Sequence, residues 1–417
     1  MIETLKKMTV KTAGFEVKGL GDSVLLSNLI LEKTDEFISY NTLRRIFGLV
    51  KYAKPSMNTL NTLARFNGYK NYIDFIKIAP NAAYWSEKEK LYLHINDNPQ
   101  VIVNQLNRKV LNSDYKLDFV ISFCRELIYL KNVDVLDVLF QSSFFTDTNF
   151  NYSEKLHFGN SIGQLLIENA EIGQKLLHHP NFLNLVYCIH VDYQHLNGYY
   201  GKWVEHVLMS STELHFTAFS EAIFQLKNYL NGIDVSYDKL HKLDKTNFHP
   251  ILQGRIYSVR ILAMGYRTDE LNQLIAELNN KEENTVVFDF FHELIILALL
   301  SKNFSLMKDI IKHLSEKKLI FHYYQEAHKN RFDLMCLIFN HSKRIQSTHK
   351  IKDPKTIKVE REHKYSYREL LTLFELILSY HSDNGNKDEL LFQYNRIAKK
   401  FKYRLISEEY LLNYFDL

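Results

Sequence analysis

The chain has few of the residues that interrupt helices. Its 417 residues include only six prolines and fourteen glycines, and no glycine falls between Gly68 and Gly159 or between Gly265 and Gly385. Since these two residues punctuate turns and weaken helix interiors, gaps of that length favour long helical runs and an all-α class. Cysteine is equally scarce. Cys124, Cys188 and Cys336 lie far apart among apolar neighbours, which excludes a disulfide framework and suits buried, reduced thiols. No stretch reaches the roughly 20 apolar residues of a membrane span. The opening Met1-Ile2-Glu3-Thr4-Leu5-Lys6-Lys7 lacks the apolar centre of a signal peptide, so a cytoplasmic protein with no membrane partner is expected.

Chemical signatures are also missing. There is no phosphate-cradling glycine-rich loop, no dinucleotide fingerprint and no Gly-x-Ser-x-Gly elbow, so no catalytic residue and no cofactor is assigned and a non-enzymatic role is expected. His178-His179 and the group Cys188, His190, Asp192 and His195 contain ligand types. Neither a His-Glu-x-x-His helix nor a Cys-x-x-Cys pair accompanies them, and on a helix His190 and Asp192 would point to different faces, so no metal site is expected. His292-Glu293, within an apolar run, reads as a polar pair on the outer face of a buried helix.

What is abundant is aromatic and apolar. Hydrophobic residues make up 46% and charged residues 24%, the balance of a folded chain rather than a disordered one, and 28 Phe and 26 Tyr suggest helix faces packed at a half-exposed boundary. Clusters such as Tyr199-Tyr200-Trp203, Phe290-Phe291 and Phe321-His322-Tyr323-Tyr324 suit a core first and a peptide groove second. Net charge is only +4 but unevenly placed. Between Ser39 and Ile78, Arg44, Arg45, Lys51, Lys54, Arg65, Lys70 and Lys77 face Asp74 alone, a surplus of six positive charges that suits a phosphate backbone.

Along the chain, residues 1–21 mix three glycines with β-branched residues and read as a loose leader or a short strand pair. Asp22 is a plausible N-cap for a helix ending near Thr34-Asp35. Ser39 caps a second helix with Leu43, Ile46 and Phe47 on one face. Ser56 caps a third, ended by Asn67-Gly68 as a left-handed cap, and a fourth begins near Asn71. A linker around Ala79–Asn81 follows. From there the chain settles into helical pairs, with Lys131-Asn132, Lys302-Asn303 and Lys329-Asn330 as a shared turn and Gly265-Tyr266-Arg267-Thr268 as a related one. Hairpins recurring at roughly 34–40 residues are the pattern of an α-solenoid, tetratricopeptide-like in shape. From His341 to Lys364 apolar periodicity stops and the segment carries five surplus positive charges, as a solvated loop would, or as a second phosphate-binding arm. Helices resume at Ser366. The expected division is 1–80, a small helix-turn-helix-like domain; 85–340, helical hairpin repeats; 341–365, a basic loop; and 366–417, C-terminal helices.

In the front module Tyr40, Asn41 and Arg44, with Gly48 and Lys51 one turn on, project away from the apolar face of the Ser39-capped helix. Asn and Arg read base edges in a major groove, whereas Ser, Lys and Thr grip phosphates, and the start of the next helix at Ser56-Met57-Asn58 offers further donors. The series Ile38-Ser39, Thr42-Leu43, Arg45, Gly48, Pro55-Ser56, Thr59-Leu60, Leu63-Ala64, Gly68 and Phe75 resembles the second half of phage-repressor-like helix-turn-helix domains, and an N-terminal module of bacterial proteins with unrelated C-terminal regions. The resemblance covers residues 22–78. It implies that 39–47 is a recognition helix, with Tyr40, Asn41 and Arg44 nearest the bases and Ser39, Arg45, Lys51, Lys54 and Asn58 completing a DNA-binding set. The expected function is a bacterial DNA-binding transcriptional regulator whose helical repeats sense a ligand or form a homodimer. The alternative is a protein-interaction scaffold that holds a protein or peptide partner in the solenoid groove.

Overall fold

A computed structural model describes residues 2–51, 53–76, 98–111, 113, 115–146, 148–243, 248–279, 284–315, 325–346, 368–382 and 386–416. Every regular element among the described residues is helical. The linker near Ala79–Asn81, Lys77, the aromatic run 321–324, residues 347–365 of the basic loop and Ser366, where helices are expected to resume, lie outside them. The chain divides into two units, Met1–Tyr115 and Lys116–Leu417.

The first unit opens with α1 (Ile2–Ala13), α2 (Leu20–Thr34), α3 (Tyr40–Ile46) and α4 (Met57–Phe66), then the helical residues 72–76, α5, and α6 (Pro99–Lys109). The loose leader is thus corrected to a helix. Its β-branched residues are tolerated because α1 packs on α4, where Leu5 and Thr9 are buried. Asn67 bridges the two: its Nδ2 donates to Thr9 Oγ1 at 2.9 Å and to Leu63 O at 2.7 Å, and Thr12 Oγ1 donates to its Oδ1 at 2.8 Å. Asp22 is not the N-cap of α2. Gly19 is, and Asp22 one turn in accepts from the backbone N–H of Lys18 and of Gly19, both at 2.9 Å. Leu26, Ile30, Leu43, Ile46, Leu63 and Phe66 form the centre of one shared core.

The second unit runs α7 (Lys116–Tyr129), α8 (Val133–Gln141), α9 (Tyr152–Leu166), α10 (Ala170–Leu176), α11 (Pro180–Phe182), α12 (Tyr199–Ser210), α13 (Leu214–Leu230) and α14 (Asp238–His241). It continues with α15 (Pro250–Met264), α16 (Thr268–Asn279), α17 (Asn284–Leu300), α18 (Phe304–Ser315), α19 (Gln325–Gln346), α20 (Arg368–His381), α21 (Lys387–Phe401) and α22 (Glu408–Leu412). Most helices pack on the next or the next but one, as α13 on α15 and α15 on α17.

Two of the three Lys-Asn turns are the same device. Lys131 and Lys302 take left-handed φ values of 56° and 54°. Asn132 N–H returns to Leu127 O and Asn303 N–H to Ala298 O, the crossed bonds of a Schellman motif, and each Asn side chain then caps the following helix. Lys329-Asn330 is corrected: it lies inside α19, which continues through His341 to Gln346, so the expected break begins later.

The C-terminal segment folds back on the middle of the unit. Leu405 N–H donates to Leu230 O at 2.9 Å, Tyr414 Oη to Leu299 O at 2.7 Å, Tyr410 Oη to Leu300 O at 2.9 Å, and Tyr403 Oη to Tyr193 O. An open array, in which each repeat touches only its neighbours, would lack these bonds.

Candidate nucleic-acid interface

The α3 helix is set by both ends. Ser39 Oγ accepts from Thr42 N–H at 3.2 Å, and at the other end Gly48, at φ +75°, lets Leu49 N–H reach back to Arg44 O at 2.9 Å. A side chain at Gly48 would be strained in that conformation although the space around it is open. Leu43 and Ile46 point into the core and Ser27 Oγ donates to Ile38 O at 2.5 Å, so the face that α3 turns outward is fixed by packing against α2. The next helix repeats the design, with Ser56 Oγ capping Thr59 N–H at 3.2 Å and Gly68 at φ +88° closing it.

On the outward side Tyr40, Asn41, Arg45, Lys51, Lys54 and Asn58 are exposed, while Ser39 is half-buried by its capping role. Arg44 departs from the sequence-based expectation. It is half-buried with its Nε out of solvent, and its guanidinium lies 3.5 Å from Asn41 Oδ1. Arg45 is the open cation of the pair. Among the described residues no carboxylate pairs with Arg44, Arg45, Lys51 or Lys54.

Arg65 leaves the positive set. Its Nη2 meets Glu36 at 2.6 Å, and Thr62 Oγ1 donates to the same carboxylate at 2.5 Å; these two bonds, Thr62 first, hold Glu36 below the usual carboxylate range. Glu36 stands three positions before Ser39, just outside the basic stretch, so the composition of that stretch gives no sign of the pairing.

Elsewhere the remaining sequence candidates separate. The segment from His190 to His195 is not helical, so the argument from helix faces does not apply. Asp192 accepts from His195 Nδ1 and Tyr199 Oη, both at 2.7 Å. His292 and Glu293 are buried, not on an outer face. Glu293 accepts from Arg255 Nη2 and Tyr193 Oη at 2.8 Å, His292 Nδ1 lies 2.9 Å from it, and Arg331 Nη1 meets His292 Nε2. The aromatics are deeper than a half-exposed boundary. Tyr187, Tyr200 and Trp203 are buried, with Tyr187 Oη on Ser220 Oγ at 2.7 Å and Tyr200 Oη on Tyr187 O at 2.6 Å, and Phe290-Phe291 is core. Cys124 is buried, whereas Cys188 and Cys336 are partly so; all three are free.

No protein family, curated protein or solved structure matches the chain. No described helix is long and apolar enough to cross a membrane.

Proposed function

We propose that the chain is a DNA-binding transcriptional regulator, working in the cytoplasm, with the outward side of α3 as its reading surface and the second unit as a sensing or dimerising region. One observation carries this reading: α3 and the residues after it present Tyr40, Asn41, Arg45, Lys51 and Lys54 to solvent with no acidic partner among the described residues, while Glu36, the carboxylate that precedes α3 in the chain, is held by Arg65 and Thr62. Two helices, α1 and α2, precede α3, which supports a repressor-like reading of the module. In this arrangement Asn41 faces base edges with the half-buried Arg44 beside it, and Arg45, Lys51 and Lys54 face phosphates. Helices that pack mostly on their chain neighbours support a solenoid-like second unit, closed by the return of its C-terminal segment, whose groove would take a protein or peptide.

Fluorescence anisotropy of the full chain on random duplex DNA across a salt series tests the proposal. Affinity is expected to fall steeply with salt, and Arg45→Ala, Lys51→Ala and Lys54→Ala each reduce the log–log slope by roughly 0.9 for each phosphate no longer neutralised. Asn41→Ala is expected to flatten sequence preference, by about 1–3 kcal/mol at its base pair. If the full chain does not bind DNA at low ionic strength, the regulator reading fails and the scaffold reading takes its place.

A further inference from the structure

His178 and His179 are neighbours in sequence, and adjacent side chains usually diverge. Here both converge on one carboxylate, 41 and 42 residues upstream. His178 Nε2 lies 3.3 Å and His179 Nε2 2.8 Å from Asp137 Oδ1, with the two ring centroids 3.8 Å apart. The turn from α10 into α11 produces this: α10 ends at Leu176, Pro180 opens α11, and a residue before proline is held extended, as His179 is at φ −91° and ψ 121°. Asn181 locks α11 onto the end of α8, its Nδ2 donating to Phe140 O at 2.8 Å and Ser142 O at 3.1 Å. Asp137 is therefore carried on α8, and the two histidines on a short turn whose far end Asn181 braces against it.

The hydrogen bonds say more. His178 Nδ1 lies 2.8 Å from the Lys175 carbonyl, so the proton of a neutral ring sits on Nδ1 and Nε2 presents a lone pair. A lone pair directed at a carboxylate oxygen is unfavourable unless a second proton or a cation lies between them. An imidazole fixed through Nδ1 on a backbone carbonyl, so that Nε2 carries the lone pair, is the usual arrangement of a metal-ligating histidine. The three ligand atoms lie within 4.8 Å of one another. His179 is buried while His178 and Asp137 are open to solvent, which leaves room for water to complete a coordination shell.

We propose that Asp137, His178 and His179 form a binding site for a divalent transition-metal ion, Zn2+ in first place, held through both Nε2 atoms and an Asp137 carboxylate oxygen. Two imidazoles and a carboxylate are a nitrogen and oxygen set that suits Zn2+ and not Ca2+ or Mg2+, which prefer oxygen alone. On binding, His179 keeps a single proton by moving it from Nε2 to Nδ1. The ion would tie α8 to the α10–α11 turn, and the site shares no residue with the proposed DNA surface.

The test is a titration of the metal-stripped full chain with Zn2+ against a chromogenic chelator at neutral pH, with equilibrium dialysis for stoichiometry. One Zn2+ per chain is expected. His178→Ala and Asp137→Asn each weaken binding by more than about tenfold, whereas His206→Ala, a histidine outside the cluster, leaves it unchanged. Co2+ in place of Zn2+ reports the ligands directly, through visible bands that change in the His178→Ala protein. His178 is exposed, so that variant carries the test even if Asp137→Asn is poorly folded. No binding at about 100 μM Zn2+, or binding that survives His178→Ala undiminished, overturns the site.

Discussion

Glu293 is the residue on which most of the buried charge of the second unit converges. It accepts from Arg255, itself 8% exposed, and from Tyr193, and it sits beside His292 and near Arg331. Removing one member of a buried ion pair leaves the other charge in a poorly solvating interior, so Glu293→Ala is expected to cost about 3–5 kcal/mol in a urea unfolding experiment. Burial also depresses His292 and His190 to about 4, and moves His215 and His249 in the same direction. The unfolded chain takes up these protons from about pH 6.5 downward and the folded chain does not, so stability falls as pH drops from about 6.5 toward 4. Asp289, raised by burial to about 6, and Asp333, also raised, work the other way, because the folded chain protonates them first. The urea midpoint is therefore expected to fall across this window, and Asp289→Asn to steepen the fall. None of this was visible in sequence. A His-Glu pair in an apolar run fits an exposed face as well as a buried one, and only the arrival of Arg255 and Arg331 from other helices decides between them.

At the scale of elements, α3 and α4 share one construction: a serine N-cap, a short apolar face and a left-handed glycine end. Ser39→Ala and Ser56→Ala should each cost about 1 kcal/mol, measured as a lowered thermal midpoint. Ser39→Ala is also expected to weaken DNA binding through fraying of α3, whereas Ser39→Asp, which preserves the cap, restores the midpoint. These caps, and the asparagine of the Lys-Asn turns, were legible because their chemistry is local. The third Lys-Asn pair and the α1 helix were not. Lys329-Asn330 has the turn's residues but lies in the second turn of α19, just before the apolar run Leu334, Met335, Ile338 and Phe339 that the helix buries, and α1 is held by Asn67, which is fifty-eight positions from Thr9. Arg44 misled for a similar reason: position on a helix wheel gave its direction, and the neighbouring packing set its depth.

Across the second unit, the return of residues 403–414 to the segment before α12, to α13 and to α17 joins segments up to 210 positions apart. Elements tied in this way open together, whereas those of an open array can fray from one end. Hydrogen exchange followed by mass spectrometry is expected to give the amides of α13, α17 and α22 a common free energy of opening. Tyr414→Phe removes one donor from Leu299 O, which keeps Tyr410 Oη and Lys302 N–H, and should lower that shared value by about 0.5–1.5 kcal/mol. Separate openings for α13 and α22 would show that the closure adds nothing to cooperativity. The exposed cations of α3 belong to the other unit and should respond to salt without altering this transition.

The sequence by itself determined the all-helical class, the caps of α3 and α4, the Lys-Asn turn at 131 and 302, and the cationic character of residues 39–54, because each depends on residues within a turn or two of one another. Tertiary structure decided which charges remain open, that Glu36 takes Arg65, that His292 and Glu293 lie inside, and that Asp137 meets His178 and His179. Those outcomes depend on groups brought together from distant positions, and backbone pattern holds no record of which distant side chain will arrive.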